Sequence, residues 1–132
     1  LVDEVALPAL RRGMSVALTT TFAGPAPEAA GTLAARLASQ TARVLSRAPV
    51  SGLVLTGGDI ALAVCRRLGV EGLRILGEVQ AGVPAGQFQC GEYDRLRVVT
   101  KAGGFGDQEA ILQAIQCIQG IRCTRGEWVH DE

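Results

Sequence analysis

Two stretches of this sequence place paired glycines between an apolar run and a helix-like pattern. One is LVLTGGD, Leu53–Asp59, and the other is VVTKAGGFGD, Val98–Asp107. Glycine tolerates positive φ and lets a ligand approach the main chain without meeting a Cβ. A helix that starts just beyond presents unpaired N–H groups and the positive end of its dipole. Together these features make a phosphate cradle, and strand ends in an open α/β sheet are where ligands bind. The same residues also serve as tight turns with no ligand. Asp107 reads best as a helix N-cap. Asp59 has more openings, since it can cap, hold a ribose, or hold a water of a bound Mg²⁺. Lys101 can neutralise phosphate or simply be a solvated lysine at a strand end. Neither turn matches GxxxxGK[ST] or GxGxxG.

The elements that must position these turns follow from periodicity. Residues 2–12 pattern as a short helix, with Pro8 against its regularity, and Gly13 ends it. Ser15–Thr20, SVALTT, reads as a strand. The FAGPAP stretch is a loop. Pro27–Arg47 has helical spacing, with Ala30, Leu33, Ala34, Leu37, Thr41, Val44 and Leu45 on one broad face. Leu53–Thr56 is apolar without alternation, as in a strand covered on both faces. Ile60, Val64 and Leu68 mark the next helix, stopped by Gly69. Leu73–Val79 and Arg95–Thr100 read as strands. QAGVPAGQF between them reads as a loop, with an extra hairpin open near Gln87–Cys90. The last helix is expected over Asp107–Gln119, with Ile111, Leu112, Ile115 and Ile118 inward, and an irregular tail after Gly120. Strands alternating with helices predict an α/β fold, a mixed and mainly parallel sheet with helices on both faces.

The 132 residues suit one domain with one modest core, and 48% hydrophobic content suits a folded chain. Only 4% is aromatic, so the core must be aliphatic. Thirteen basic residues cancel thirteen acidic ones, which removes the clustered positive charge that nucleic acid binding needs. No apolar stretch approaches the ~20 residues of a membrane span, and no signal peptide is visible. Cys65, Cys90, Cys117 and Cys123 lack metal-ligand spacing. They read as free thiols in a reducing, cytoplasmic setting, with a Cys117–Cys123 disulfide as the alternative. His130 lies in a polar tail with nothing near it to orient it. The chain starts at Leu1, and its one methionine is Met14, which leads us to expect a fragment or processed chain.

The run LVLTGGDIALAVCRRLGVEGLRILGEVQAGVPAGQF, followed by LRVVTKAGGFGDQEAIL, resembles the C-terminal nucleotide-binding domain of the four-carbon acid sugar kinases. TGGD, then GEV with GVP, then KAGGFGD occur in that family's order and spacing, and the likeness covers residues 13–115. The resemblance implies a two-domain, ATP-dependent kinase acting on threonate, erythronate or 3-oxo-tetronate, with Mg²⁺. It implies nucleotide contacts at Gly57, Gly58, Asp59 and Ile60, and again at Lys101, Gly103, Gly104 and Gly106. Gly77, Glu78, Gly82, Val83 and Pro84 would form a wall beside the nucleotide. The chain departs from the family where a Thr, often followed by Ser, is replaced by Ile60 and Ala61. By the resemblance, the sugar-binding domain and the Ser-containing strand that opens the nucleotide domain are expected to lie upstream, outside residues 1–132. Residues 1–132 are therefore expected to be one C-terminal nucleotide-binding domain. Alone it would be inactive, because phosphoryl transfer needs nucleotide, metal and acceptor held in line. The sugar acid would be held by the missing domain, neither nucleic acid nor membrane is an expected partner, and an exposed interdomain face is expected to drive self-association. The alternative is a non-catalytic nucleotide-binding or assembly module.

Overall fold

The structure is a computed structural model and describes residues 2–20 and 30–120. A π-helical turn, Val2–Ala6, runs into α1, Leu7–Arg11. Pro8 lies where the π-helical turn gives way to α1, and such an irregularity accommodates a ring and a missing N–H that a regular helix interior would not. Asp3 pairs with Arg43 of α2, Ala30–Leu45, and with Arg47 just beyond it, and ties the two helical segments together. Next come β1, Gly52–Thr56; α3, Gly58–Leu68; β2, Gly72–Gln80; β3, Val83–Gln89; β4, Arg97–Lys101; and α4, Ala110–Ile118.

The four strands form one mixed sheet in the order β1-β4-β3-β2. The α/β class read from the sequence holds, and helices cover both faces. Val98 of β4 packs with Ala38 of α2, Val64 and Leu68 of α3, Leu55 and Phe88. Its neighbour Val99 packs on the opposite face with Ala114, Cys117 and Ile118 of α4. Adjacent strand residues point to opposite faces, so β4 is covered on both sides. The parallel part is confined to the β1–β4 pair, while β2–β3 and β3–β4 are antiparallel.

Three expectations need correction. β3 occupies most of the stretch read as a loop. Pro84 is tolerated because it pairs only with Glu78 of β2, next to a register shift, and the β3–β4 ladder starts at Ala85. Gly86 is required in this central strand, because a Cβ there would lie 2.1 Å from the Arg74 carbonyl oxygen. Ser15–Thr20 forms no strand: Val16 and Leu18 pack on the cluster of Val2, Ala6, Leu7, Val44 and Ala48. On α4 the buried residues are Ala110, Ala114, Cys117 and Ile118, while Ile111 and Leu112 are 49% and 52% exposed. Small side chains let that helix approach the sheet, which leaves Ile111 and Leu112 on its outer side.

Cys65 and Cys90 are free, as expected. Cys117 is disulfide-bonded, so the free-thiol expectation fails there. Cys123 of the alternative pairing, Leu1, the FAGPAP loop, the first residues of the helix expected from Pro27, His130 and the tail all lie outside the described residues.

Candidate functional site

β1 and β4 are adjacent and parallel, with Thr56 in register with Lys101. Both glycine turns therefore leave the same end of the sheet, side by side. They are bonded at the base, where the Gly57 N–H donates to the Lys101 carbonyl over 2.8 Å. This is the arrangement the repeated strand-glycine pattern predicts.

The first turn is short. Gly57 has φ +95°, a conformation that strongly favours glycine, and α3 starts at the next residue. The first helical bond runs from the Ala61 N–H to the Gly57 carbonyl. The N–H groups of Gly58, Asp59 and Ile60 precede it and have no intrahelical acceptor. Asp59 does not cap the helix, because it lies inside the first turn and is exposed. Ile60 is half-buried and packs into the core between α3 and the sheet. Where the resemblance implies a hydroxyl, this chain has an anchoring side chain.

The second turn is longer. Lys101 folds back so that its Nζ donates to the carbonyls of Ala102 and Gly103, over 3.3 and 3.5 Å. Gly103 and Gly104 are exposed, have no positive φ, and a Cβ on either would meet nothing within 4 Å. The same is true of Gly58. Protein packing and backbone strain explain none of these three glycines. Gly106 differs. It has φ +84°, and a Cβ there would lie 2.8 Å from that of Ala110.

Asp107 caps differently from expectation. The N-cap position of α4 is Glu109, which makes no side-chain cap bond. Asp107 instead accepts the Glu109 N–H two residues on, at 2.8 Å, which is an Asx turn leading into the helix. Its Oδ1 also accepts a bond from Gln80 Nε2 at 2.8 Å. The Gln80 bond first, and the Glu109 N–H second, hold the Asp107 carboxyl below the usual carboxylate range.

The GEV/GVP segment lies against the second turn. Gly77 and Glu78 are in β2, while Gly82, Val83 and Pro84 make the tight β2–β3 connection and the start of β3. Glu78 Oε1 accepts the Gly82 N–H at 3.3 Å. Phe105 lies over Gly82, so a Cβ on that glycine would fall 2.3 Å from the ring. Gln80 went unnoticed in the sequence because no motif includes it.

Among the described residues, no group of three or more His, Cys, Asp and Glu is placed to hold a metal, and no helix is long and apolar enough to cross a membrane. A groove of about 450 Å³ lies elsewhere, between residues 13–19 and β1, with Leu37, Thr41 and Val44 of α2 and Ile111, Ile115 and Ile118 of α4 among its walls. It reaches Thr56 and Ile60 but none of Lys101–Asp107. β1 is the edge strand beside it.

Residues 8–111 match the model of the family described as "nucleotide-binding C-terminal domain". The chain is 45% identical over 91 residues to the D-threonate kinase of Salmonella typhimurium, a match covering 69% of this chain and 22% of that protein. It is 42% identical over 96 residues to the D-threonate kinase of Bordetella bronchiseptica, covering 73% and 24%. Among solved structures, a domain of unknown function from Bordetella bronchiseptica, crystallised as a domain-swapped dimer with bound citrate, superposes with a TM-score of 0.74 at 38% identity. That match covers 90% of this chain and 30% of the other. The chain thus spans less than a quarter of the length of these two curated relatives.

Proposed function

The chain belongs to the family of nucleotide-binding C-terminal domains, and from that premise we propose that it is the ATP-binding portion of a kinase that phosphorylates a four-carbon sugar acid of the threonate, erythronate or 3-oxo-tetronate type. One observation carries the assignment of the site. Gly58, Gly103 and Gly104 stand open at the ends of two bonded parallel strands, with no structural reason to be glycine. A bound phosphate supplies the reason, because its oxygens need the space a Cβ would fill.

In this proposal residues 1–132 act as a single nucleotide domain. The N–H groups of Gly58, Asp59 and Ile60 face the phosphates at the start of α3, and the backbone of Gly103 and Gly104 closes the other side. Gly57 and Gly106 set the path of each turn. Lys101 leaves its two loop carbonyls and turns toward the phosphates. The exposed Asp59 carboxylate beside an anion site calls for a cation between them, and Mg²⁺ is held in such sites by one or two carboxylates plus the phosphates. The metal would neutralise charge as the terminal phosphoryl group transfers. The sugar acid and its reacting hydroxyl would come from the rest of the whole protein, so residues 1–132 alone bind nucleotide without turning it over. Titration of the chain with ATP and Mg²⁺ in a calorimeter tests this. A saturable heat is expected, and a flat titration sinks the proposal.

A second reading, an assembly module, is favoured by the outer edge of β1, which pairs with no strand among the described residues, and by its apolar groove. An unpaired edge strand beside exposed apolar surface invites another chain. With a domain-swapped relative in view, we propose that this edge also supports a homo-oligomer. Light scattering at high concentration should give a mass above that of the monomer, and a clean monomer counts against it.

A further inference from the structure

The second glycine turn is tied to the β2–β3 connection through a side chain outside every recognised motif. Gln80, the last residue of β2, grips Asp107 on two sides. Its Nε2 donates to Asp107 Oδ1 at 2.8 Å, and its Oε1 accepts the Asp107 N–H at 3.0 Å. The same Nε2 donates to Gln113 Oε1 of α4 at 2.9 Å. One half-buried amide therefore joins a strand end, the loop and a helix.

The loop is held next to this grip as well. A Cβ on Gly106 would come within 3.3 Å of both Gln80 Oε1 and Val83, and Phe105 rests on Gly82. At its other end the loop is fixed where Lys101 accepts the Gly57 N–H. Gly103, whose carbonyl accepts from Lys101 Nζ over 3.5 Å, and Gly104 form the middle of a span pinned at both ends, with open space where a Cβ would stand. Glycine backbone has the most freedom to lose, so an unpinned span would pay most of its ordering cost when a ligand arrives. A pinned span has met that cost during folding, which is how preorganisation raises affinity.

We infer that Gln80 is a positioning residue for the Gly103–Gly104 backbone, acting through Asp107 to hold the loop in its ligand-ready shape. It touches no reacting group. The effect on affinity rests on the nucleotide-binding proposal, while the effect on loop order does not.

Gln80→Met tests this, since it keeps the length of the side chain and removes both polar ends. The Phe105 N–H donates to the Ala102 carbonyl and not to Gln80, so its hydrogen exchange reports the loop rather than the deleted bonds. In the chain without nucleotide, Gln80→Met should speed Phe105 amide exchange about tenfold, which is the scale of one or two net hydrogen bonds. Exchange in β4 should stay unchanged. Affinity for ATP with Mg²⁺ should fall by a similar factor. Asp107→Ala should do the same, and the loss in the double variant should be clearly smaller than the product of the two single losses, because the Gln80 Nε2–Asp107 Oδ1 bond is common to both while each residue keeps one bond of its own. Parent-like exchange in Gln80→Met overturns the inference, as do losses that multiply in the double variant. A parent that binds no nucleotide refutes the proposed function instead, and the exchange measurement still decides the role of Gln80.

Discussion

The two glycine turns look alike as text and differ as objects. At Gly57–Asp59 the strand passes straight into α3, and the turn's own helix supplies the free N–H groups. At Lys101–Asp107 the chain wanders for eight residues, 102–109, before α4 starts at Ala110, and the Asp107 carboxylate already occupies a backbone donor at that helix's entrance. The first turn offers a helix end, and the second offers loop backbone propped from outside by Gln80 and Gly82. A shared pattern of strand, glycine pair and aspartate thus specifies where a turn goes but not how it presents its donors. The pair of turns therefore offers one helix end and one glycine loop.

The sharpest way to break this contrast is inside the second turn. Gly106→Val places a branched residue at φ +84° and pushes its Cβ into Ala110. Strain and overpacking together should cost about 3 kcal/mol of stability. The thermal midpoint should fall by more than 10 °C, read by circular dichroism, at a few degrees per kcal/mol for a chain of this size. A parent-like midpoint would mean that Gly106 has no special role and that the loop is not pinned.

Lys101→Ala is milder. The side chain rests on two loop carbonyls, so its loss leaves the backbone path intact. Nucleotide affinity should weaken about two- to fivefold, as for a partly exposed charge, with less weakening at high salt. A loss as complete as that from blocking the glycines would make Lys101, and not the backbone, the main phosphate contact.

The smallest effect is on pH. The folded Asp107 carboxyl is held below its ordinary range by Gln80 and the Glu109 N–H. A depressed carboxylate contributes stability that is present above the unfolded pKa and lost as pH falls through the folded one. Loop order, followed by Phe105 amide exchange with correction for the intrinsic rate, should be constant above about pH 4 and decline below it. Asp107→Asn should flatten that decline. A decline centred at neutral pH would exclude Asp107 as its source.

Where the sequence was legible, apolar residues had left a trace. β1 and β4 carry short apolar runs, Leu53–Leu55 and Val98–Val99, β2 carries Leu73, Ile75, Leu76 and Val79, and the cores of α2 and α3 repeat at helical spacing with Ala34, Val64 and Leu68 buried. The co-location of the turns followed from the repeated strand-to-helix order. β3 stayed hidden because Pro84 and Gly86 advertise a loop, and only their neighbours make them acceptable. Pro84 meets a bulge, and Gly86 meets the Arg74 backbone. Ser15–Thr20 has strand composition, but a strand needs a partner, and none of the described residues pairs with it. The inward face of α4 was missed because Ala110 and Ala114 are small, and hydrophobicity alone favours Ile111 and Leu112. Gln80 carries no local signal, since its importance comes from a residue 27 positions away.

The central claim is that the open glycines exist for a ligand. Gly104→Val tests it most directly, because the structure offers free space around that position and an ordinary φ. Parent and variant are titrated side by side with ATP and Mg²⁺, and their thermal midpoints are compared. The predicted result is a stability change within about 0.5 kcal/mol, as for an uncrowded surface position, together with loss of nucleotide binding. A variant as stable as the parent that binds nucleotide equally well would show the second glycine turn to be a turn and nothing more.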